Sequence, residues 1–340
     1  MISVGIVGAS GYTGLELCRL LLNHSQVNIT HVFAHSHVGK TVSDLFPQFG
    51  SLLDLEYLSF NPEQPPAVDV LFLAVPHTQS HSYMSTLVAN SGQTKIIDLS
   101  ADFRLFDAEL YQHYYNTSHR SESLLSDFVY GIPELFGEQL ETTRLCANPG
   151  CYATAAILSL YPLVKEGIIS GSIICDAKSG VSGAGRGAKL SSLYCEVNNN
   201  FGAYGTATHR HTAEIESVTG ASVLFSPHLV PMNRGILATS YASYNGDISH
   251  GQIIDIYRSY YKGQPFMVID EKDRSPQTKW VAGTNNCWLS VILVPEKQQL
   301  VLFSAIDNVV KGAAGQAIQN FNIMVGLDSD SGLQALPLYL

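Results

Sequence analysis

Residues 2–14, ISVGIVGASGYTG, contain the pattern that decides the predicted fold. Ile2–Val7 is a short apolar run of the kind that forms a buried parallel strand, and glycines follow it at every third position. A strand that enters a helix through such a turn brings backbone N–H groups close to an anion, and the helix N-terminus adds positive dipole charge. The stretch therefore predicts a dinucleotide-binding turn, although an ordinary tight turn would use the same glycines. The residues expected to contact the cofactor here are Gly8, Ser10, Gly11, Tyr12, Thr13 and Gly14.

Strands and helices alternate through the first 147 residues, which favours a parallel sheet covered on both faces. The segment 107–140 is rich in Tyr, His and Ser, and we interpret it as an excursion before the last strand. The first domain is therefore predicted to be a Rossmann-type α/β domain. Its further predicted elements are helices at Thr13–Asn23 and Gln79–Ala89 and strands at Val27–Ala34, Val68–Val75, Lys95–Leu99 and Arg144–Ala147.

The pattern changes after Cys151, where longer apolar strands replace the short alternating ones. Polar Glu296–Gln299 between two apolar runs indicates a β-hairpin. A helix is expected at Lys311–Val325. These features predict an α+β second domain with a mixed sheet. Its predicted strands are Ser172–Ala177, Gly235–Tyr244, Cys287–Val294 and Leu300–Ile306.

Composition excludes several classes of protein. The 340 residues are 46% hydrophobic and 14% charged, with a formal net charge of −10. An acidic chain is a poor binder of nucleic acid or anionic membrane, and no apolar run approaches the ~20 residues of a membrane-spanning helix. The six cysteines form no CxxC pair, and the N-terminus has no signal-peptide pattern, so we expect a reducing, cytoplasmic setting.

The end of the second strand, ITHVFAHSHVGK, indicates which dinucleotide is bound. NAD sites usually carry an acidic residue there, whereas in this chain no acid follows the strand before Asp44. The hydroxyl of Ser36 and the cation of Lys40 suit the 2′-phosphate of NADP(H). The alternative is that Lys40 and His37 lie on a solvated loop.

The stretch CANPGCYATAAILSLYPLV, residues 146–164, places Cys151 directly after Asn-Pro-Gly and at the start of a helical pattern. Free N–H groups and dipole charge at a helix start lower the pKa of a thiol, so Cys151 is predicted to be a nucleophilic thiolate. Asn148 could donate to a developing oxyanion. Cys146, on the preceding strand, is predicted to be a core residue.

A nucleophilic thiol needs a proton partner, and the segment ATHRHTAEI supplies two histidines. Both His209 and His211 are candidates for the acid/base. The same pair could ligate a metal, but no thiolate or carboxylate joins it with convincing ligand spacing, so no metal is predicted. A surface histidine cluster is the alternative without function.

Anionic substrate groups need cations, and arginine provides planar bidentate contacts to phosphate and carboxylate. Each candidate could instead form a surface ion pair. The predicted substrate-binding residues are Arg104, Arg186, Arg210, Glu214 and Arg234.

Longer motifs carry a resemblance to a known family. GASGYTG, NPGCYAT, SGVSGAGR, HRHTAEI, PHLVPMNRG and NVVKGAAGQAIQN occur in this order from Met1 to about Val325. Together they resemble the N-acetyl-γ-glutamyl-phosphate reductases, the NADPH-dependent enzymes of the third step of arginine biosynthesis. In the related aspartate-semialdehyde dehydrogenases the cysteine typically follows Asn directly, whereas here Pro149 and Gly150 intervene.

The resemblance implies a role for several residues. Cys151 would be the nucleophile, and Arg104 would hold the substrate phosphate. One histidine of the HRH segment would be the acid/base, and we favour His211 over His209. The C-terminal helix would return to the cofactor domain, giving domains at 1–147 with 310–340 and at 148–309. Homo-oligomers, dimers or tetramers, are expected. The resemblance also implies Asn308 as a cofactor contact. The implied contacts near the nicotinamide are Ser179, Gly180, Gly183 and Gly185.

Alternative functions stay open on the sequence alone. A reductase of carrier-bound aminoadipyl phosphate or of aspartyl phosphate could use the same cysteine chemistry on a different acyl group. A non-catalytic NADP-sensing module would need the glycine turn but neither the NPGC helix start nor the histidine pair.

Overall fold

The computed structural model describes residues 1–338. Within it the chain divides into two compact units. Residues 1–149 and 313–333 form the first unit, and residues 150–312 with 334–338 form the second.

The first unit contains a parallel sheet with the strand order β3-β2-β1-β4-β5-β7-β6. The order 3-2-1-4-5 is that of a doubly wound dinucleotide-binding sheet, in which ligands bind at the carboxyl ends of the strands where the order reverses. All four residues of β4 are buried, as expected for a strand covered on both faces. The elements are β1 (Ile2–Val7), α1 (Tyr12–Leu21), β2 (Val27–Phe33), α2 (Val42–Leu45), β3 (Tyr57–Leu58), β4 (Val70–Leu73), α3 (Met84–Asn90), β5 (Lys95–Asp98), α4 (Ala108–Tyr115), β6 (Phe128–Tyr130), α5 (Pro133–Thr142) and β7 (Leu145–Ala147).

The segment 107–140 is more regular than its composition indicates. It contains α4, the edge strand β6 and the start of α5, and β6 pairs in parallel with β7. Phe128 of β6 stacks on Phe103 with 4.1 Å between ring centroids, which anchors this edge to the apolar core. The prediction of an excursion missed these elements because a three-residue strand leaves almost no periodic signal.

The second unit contains a mixed sheet with the order β12-β13-β14-β11-β8-β10-β9. The predicted hairpin is confirmed, because Cys287–Val294 pairs antiparallel with Gln299–Ile306. The α/β fold class with one parallel and one mixed sheet is thus confirmed. The elements are α6 (Cys151–Lys165), β8 (Ile169–Gly180), α7 (Tyr194–Val197), β9 (Gly202–Ala203), α8 (His211–Thr219), β10 (Val223–Val230), β11 (Ile236–Tyr244), α9 (His250–Tyr260), β12 (Met267–Ile269), β13 (Cys287–Val294) and β14 (Gln299–Ile306).

Helix α6 is the buried centre of the second unit. Nearly every residue from Tyr152 to Leu163 is buried, which matches its Ala-, Leu- and Ile-rich sequence. Pro162 lies inside the helix and has no N–H for the carbonyl of Leu158. The hydroxyl of Tyr261 donates to that carbonyl at 2.6 Å and so replaces the missing helix bond.

The C-terminal segment departs from the predicted helix at Lys311–Val325. Val310–Ala314 forms a π-turn, and α10 (Gly315–Met324) follows and lies in the first unit. The compact units differ at both ends from the predicted assignment of 310–340 to the first domain, which stays a prediction. Residues 310–312 and 334–338 belong to the second unit, where the N–H of Leu338 donates to the carbonyl of Ala282 at 2.9 Å. Residues 339–340 lie outside the described chain.

Candidate functional site

The glycine turn of the first unit has the geometry of an anion cradle. Gly8 has φ +84°, and a Cβ there would lie 2.2 Å from the carbonyl oxygen of Ala74. A Cβ on Gly14 would lie 2.3 Å from the carbonyl oxygen of Gly8. Because Gly11 offers no side-chain cap to α1, the first-turn N–H groups of this helix have no side-chain acceptor at the N-cap. The turn therefore fits the pyrophosphate of a dinucleotide.

The loop after β2 carries the two residues predicted to select NADP. Ser36 and Lys40 are both exposed. The first acid after them, Asp44, closes a capping box with Thr41: its carboxylate accepts from the Thr41 N–H at 2.9 Å. These hydrogen bonds lower the pKa of Asp44 and hold its carboxylate at the start of α2.

Asn148 and Arg104 meet at the turn that follows β7. Asn148 is buried; its side-chain amide donates to the carbonyl of Ala313 at 3.2 Å and accepts from Asn320 at 3.0 Å. Arg104 is also buried and donates to the carbonyls of Asn148 at 2.7 Å and Leu99 at 2.9 Å. These contacts support roles in shaping the turn, whereas the predicted oxyanion and phosphate contacts stay predictions.

A buried acid pair that the sequence analysis missed supports the same region. Asp102 accepts from the N–H of Thr78 at 2.7 Å and from the hydroxyl of Tyr111 at 2.9 Å. Thr78 has φ +65°, an uncommon conformation for a β-branched residue. Burial and the neighbouring Asp102 raise the pKa of Asp98 to about 7. In the sequence, both acids lie in the DLSADFR stretch beside Arg104.

Cys151 is the first residue of α6 in the second unit and is partly exposed, whereas Cys146 is fully buried. The N-cap residue, Gly150, provides no side-chain cap to the first turn. Backbone N–H groups at such a helix start stabilise a negatively charged atom. Burial, with a contribution from Asp98, raises the pKa of Cys146, which is the core thiol that the sequence predicts.

His211 lies against the residue that precedes the cysteine. A Cβ on Gly150 would be 2.3 Å from Nε2 of His211, so only glycine admits the ring there. The N–H of Gly150 donates to Oε2 of Glu214 at 2.9 Å, and Oε1 of Glu214 is 3.7 Å from Nε2 of His211. Glu214 is 1% exposed, which favours a positioning role over the predicted substrate contact. Gly150 was not predicted as a site residue, although it belongs to the NPGC motif.

His209 occupies a more enclosed place than His211. Its ring packs edge-on against Tyr152, Tyr204 and Phe225, and its Nδ1 accepts from the N–H of His211 at 3.2 Å. Burial, with a smaller contribution from Arg210, lowers the pKa of His209 to about 4. The ring is therefore neutral near pH 7, and the choice of His211 as the acid/base stays a prediction.

The predicted nicotinamide loop is tied together by Asn308. Its Oδ1 accepts from the N–H of Gly235 at 2.7 Å, and its Nδ2 donates to the hydroxyl of Ser182 at 2.9 Å. A Cβ on Gly183 would lie 3.1 Å from the hydroxyl of Ser179, and Gly185 has φ +84°. A Cβ on Gly180 would lie 2.8 Å from backbone atoms of Met232 and Asn233. Asn308 thus shapes this loop, and its contact with a cofactor stays a prediction.

The other predicted arginines differ in exposure. Arg186 and Arg210 are exposed, and Arg234 is half-buried with its guanidinium 3.5 Å from the buried carboxylate of Asp307. In residues 1–338 no group of three or more His, Cys, Asp or Glu side chains is arranged to hold a metal ion. No helix of the same residues is long and apolar enough to span a membrane.

Comparisons with known proteins agree with these features. The model for the semialdehyde dehydrogenase NAD binding domain matches residues 3–143, and that for the semialdehyde dehydrogenase dimerisation domain matches residues 151–308. Among solved structures, aspartate semialdehyde dehydrogenase II of Vibrio cholerae aligns with a TM-score of 0.71 at 17% identity, covering 96% of this chain and 98% of that one. The Candida albicans aspartate semialdehyde dehydrogenase with NADP gives 0.73 at 14% identity and the same coverage. At these identities the structures establish the fold alone.

Curated relatives are much more similar in sequence. N-acetyl-gamma-glutamyl-phosphate reductases from Lachnoclostridium phytofermentans and Desulfotalea psychrophila are 44% and 46% identical over all of both chains. The protein of the same name from Campylobacter jejuni is 46% identical over 98% of each chain. The resemblance predicted from the sequence is confirmed: the chain belongs to the N-acetyl-gamma-glutamyl-phosphate reductase family.

Proposed function

We propose that this protein is an NADPH-dependent reductase of N-acetyl-γ-glutamyl phosphate. The products are N-acetyl-L-glutamate 5-semialdehyde and phosphate, and the reaction is the third step of arginine biosynthesis. The observation that carries the proposal is Cys151 at the uncapped start of α6, with the His211 ring against the preceding glycine, in a chain about 45% identical to relatives of this name.

NADP(H) is the proposed cofactor, and when bound it supplies the hydride. The glycine turn would hold its pyrophosphate at the start of α1. Ser36 and Lys40 would contact the 2′-phosphate, because they are exposed on the loop after β2 and Asp44 is engaged by Thr41. Ser179 and the glycines after it would line the nicotinamide side.

Cys151 would carry the acyl group. Its thiolate attacks the carbonyl carbon of the acyl phosphate, the C–O bond to phosphate breaks, and an enzyme thioester forms. First-turn N–H groups of α6 stabilise the oxyanion that develops at each addition step. After reduction of the thioester, His211 exchanges a proton with the thiohemiacetal oxygen as the C–S bond breaks and the thiolate returns.

The arginines would bind the anionic ends of the substrate. Arg210 is exposed and lies between the two histidines in sequence, so it is well placed for a carboxylate or phosphate. Arg186 and Arg234 are further candidates. Arg104 would act mainly by holding the Asn148 turn, since two of its N–H groups already bind backbone carbonyls.

We also propose that the enzyme is a homo-oligomer that associates through the open face of the second unit's sheet. Strand register places Leu224, Ile174 and Tyr241 side by side, and they are 49%, 48% and 42% exposed. Val301 and Ile292 continue this row across β14 and β13. An apolar row of this length is unusual on a monomer surface, and these strands lie in the region matched by the dimerisation model.

We propose a cytoplasmic location, because a reducing compartment keeps a nucleophilic thiol reduced and each of the six cysteines is a thiol. The test of the function is NADP reduction in the presence of phosphate with a panel of semialdehydes. We expect turnover with N-acetylglutamate 5-semialdehyde and little with free glutamate or aspartate semialdehyde. Preference for a carrier-bound aminoadipyl substrate would identify the rival reductase, and no turnover with any aldehyde would favour the sensing module.

A further inference from the structure

A glycine more than 150 residues away in sequence packs directly on the nucleophile. A Cβ built on Gly312 would lie 2.7 Å from Cβ of Cys151 and 3.2 Å from its Cα. The next nearest atom is the carbonyl oxygen of Asp307 at 3.4 Å. Carbon atoms in ordinary van der Waals contact are about 3.5–4.0 Å apart, so no residue with a side chain fits at 312 while Cys151 keeps this position.

The backbone around Gly312 is a π-turn held by a buried acid. The N–H of Gly312 donates to the carbonyl of Asp307 at 2.9 Å, which is the i→i+5 bond of a π-helix. The Asp307 carboxylate is fully buried; it accepts from the N–H groups of Val309 at 2.8 Å and Gly283 at 2.7 Å. Isolated π-turns are rare and frequently mark functional sites. In this π-turn, the Cα of Gly312 packs against Cys151 without an intervening side chain.

A second close contact involves the glycine that directly precedes Cys151. Gly150 leaves room for the His211 ring, and its N–H is fixed by Glu214. Neither Gly312 nor Gly150 is needed for backbone freedom, because the glycines with positive φ do not include them. At both positions a side chain would clash with neighbouring atoms. The position of Cys151 is therefore constrained by the glycine directly before it and by a second glycine in a distant segment.

We propose that Gly312 is a positioning residue for catalysis. Its Cα packs against Cys151 at the start of α6 and limits the positions that the Cys151 side chain can adopt. This inference rests on the proposed nucleophilic role of Cys151. In Gly312→Ala the two Cβ atoms must separate from 2.7 Å to at least 3.4 Å, a shift of roughly 0.7 Å. Since a misplacement of 1 Å can cost about 10²-fold in rate, we expect kcat to fall on the order of 10- to 100-fold.

The experiment compares Gly312→Ala with Gly251→Ala, a control in which the new Cβ meets open space and φ is ordinary. We expect the Gly312 variant to lose kcat and to slow iodoacetamide alkylation of Cys151, with the Kd for NADPH and the KM for the aldehyde within about twofold of wild type. The control should match wild type in every measurement. Unchanged kcat and alkylation in Gly312→Ala would overturn the inference.

Cys151→Ser separates this inference from the one on which it rests. An active Cys151→Ser variant would show that Cys151 is not the nucleophile. An inactive Cys151→Ser variant together with a fully active Gly312→Ala variant would overturn only the role of Gly312. Should Gly312→Ala fail to fold, Asp307→Asn tests the same turn without a steric clash, because its amide would face the N–H of Gly283. A fully active Asp307→Asn would then overturn the inference, and a selective loss of kcat would support it.

Discussion

At the residue scale, the two histidines of the HRH segment differ in what surrounds them. His209 lies among aromatic rings, and burial lowers its pKa to about 4, so its ring is neutral near pH 7. His211 lies against Gly150 and within 3.7 Å of a buried carboxylate oxygen of Glu214. A carboxylate beside an imidazole orients the ring, as an acid/base requires.

Replacing each histidine by asparagine should therefore give unequal effects. We expect His211→Asn to lower kcat on the order of 10²–10⁴-fold, the usual loss for a general acid/base. His209→Asn should cost less than that, because it removes a packing partner and not the proton carrier. Steady-state kinetics at pH 7.5 measure both, and a larger loss from His209→Asn would reverse the assignment.

The lowered pKa of His209 also predicts a pH dependence of stability. The unfolded chain binds a proton on this ring near pH 6.5 and the folded chain only near pH 4, so the free energy of unfolding decreases as pH falls through this window. The contribution lost by pH 5 is about 2 kcal/mol. Urea unfolding at pH 7 and pH 5 should show this difference between wild type and His209→Asn, whose side chain does not titrate. Equal pH dependence in the two proteins would contradict the burial of the ring.

At the element scale, the glycine turn and the helix start of α6 use the same device in different units. Each begins a helix with a residue that provides no side-chain cap, so no N-cap side chain competes with a negative charge for the first-turn N–H groups. In the first unit the charge would be a pyrophosphate, and in the second a thiolate or an oxyanion. The sequence predicts both helix starts from their glycines, and the structure shows that a Cβ on Gly14 or on Gly150 would lie 2.3 Å from a neighbouring atom.

Gly8→Ala should selectively remove dinucleotide binding. Its Cβ would lie 2.2 Å from a backbone oxygen, so the turn must open to admit it. We expect the Kd for NADPH, measured by fluorescence, to rise at least tenfold while alkylation of Cys151 is unchanged. Gly50→Ala is the matched control, because Gly50 also has positive φ but open space around its Cα. Equal affinities in the two variants would show that the turn is not the binding site.

At the scale of the whole molecule, the open sheet face predicts that assembly depends on its apolar row. Ile174→Asp places a charge within that row, between Leu224 and Tyr241, and we expect the variant to run as a smaller species than wild type in light-scattering chromatography. Leu52→Asp, at a site 75% exposed in the first unit, should leave the mass unchanged. A monomeric wild type, or an Ile174→Asp variant of unchanged mass, would contradict this interface.

Local pattern was sufficient for the features that repeat along the chain. Strand–helix alternation predicts the parallel sheet. The predicted strand Arg144–Ala147 corresponds to β7, and the helical pattern from Cys151 corresponds to α6. The three-residue β6 and the π-turn escaped prediction because neither has a period long enough to recognise. The roles of Glu214 and Gly312 also escaped, since their contacts join segments far apart in sequence. Such contacts depend on tertiary packing, which no window of sequence contains.

The most direct test of covalent catalysis is a single-turnover experiment without reduced cofactor. Wild-type enzyme mixed with N-acetyl-γ-glutamyl phosphate should release one equivalent of phosphate per active site in a burst, and intact mass should increase by one N-acetylglutamyl group. Peptide mapping should locate that group on Cys151, and Cys151→Ser should show neither the burst nor a thioester. Full reductive turnover by the serine variant, or an acyl group on any other residue, would contradict the account.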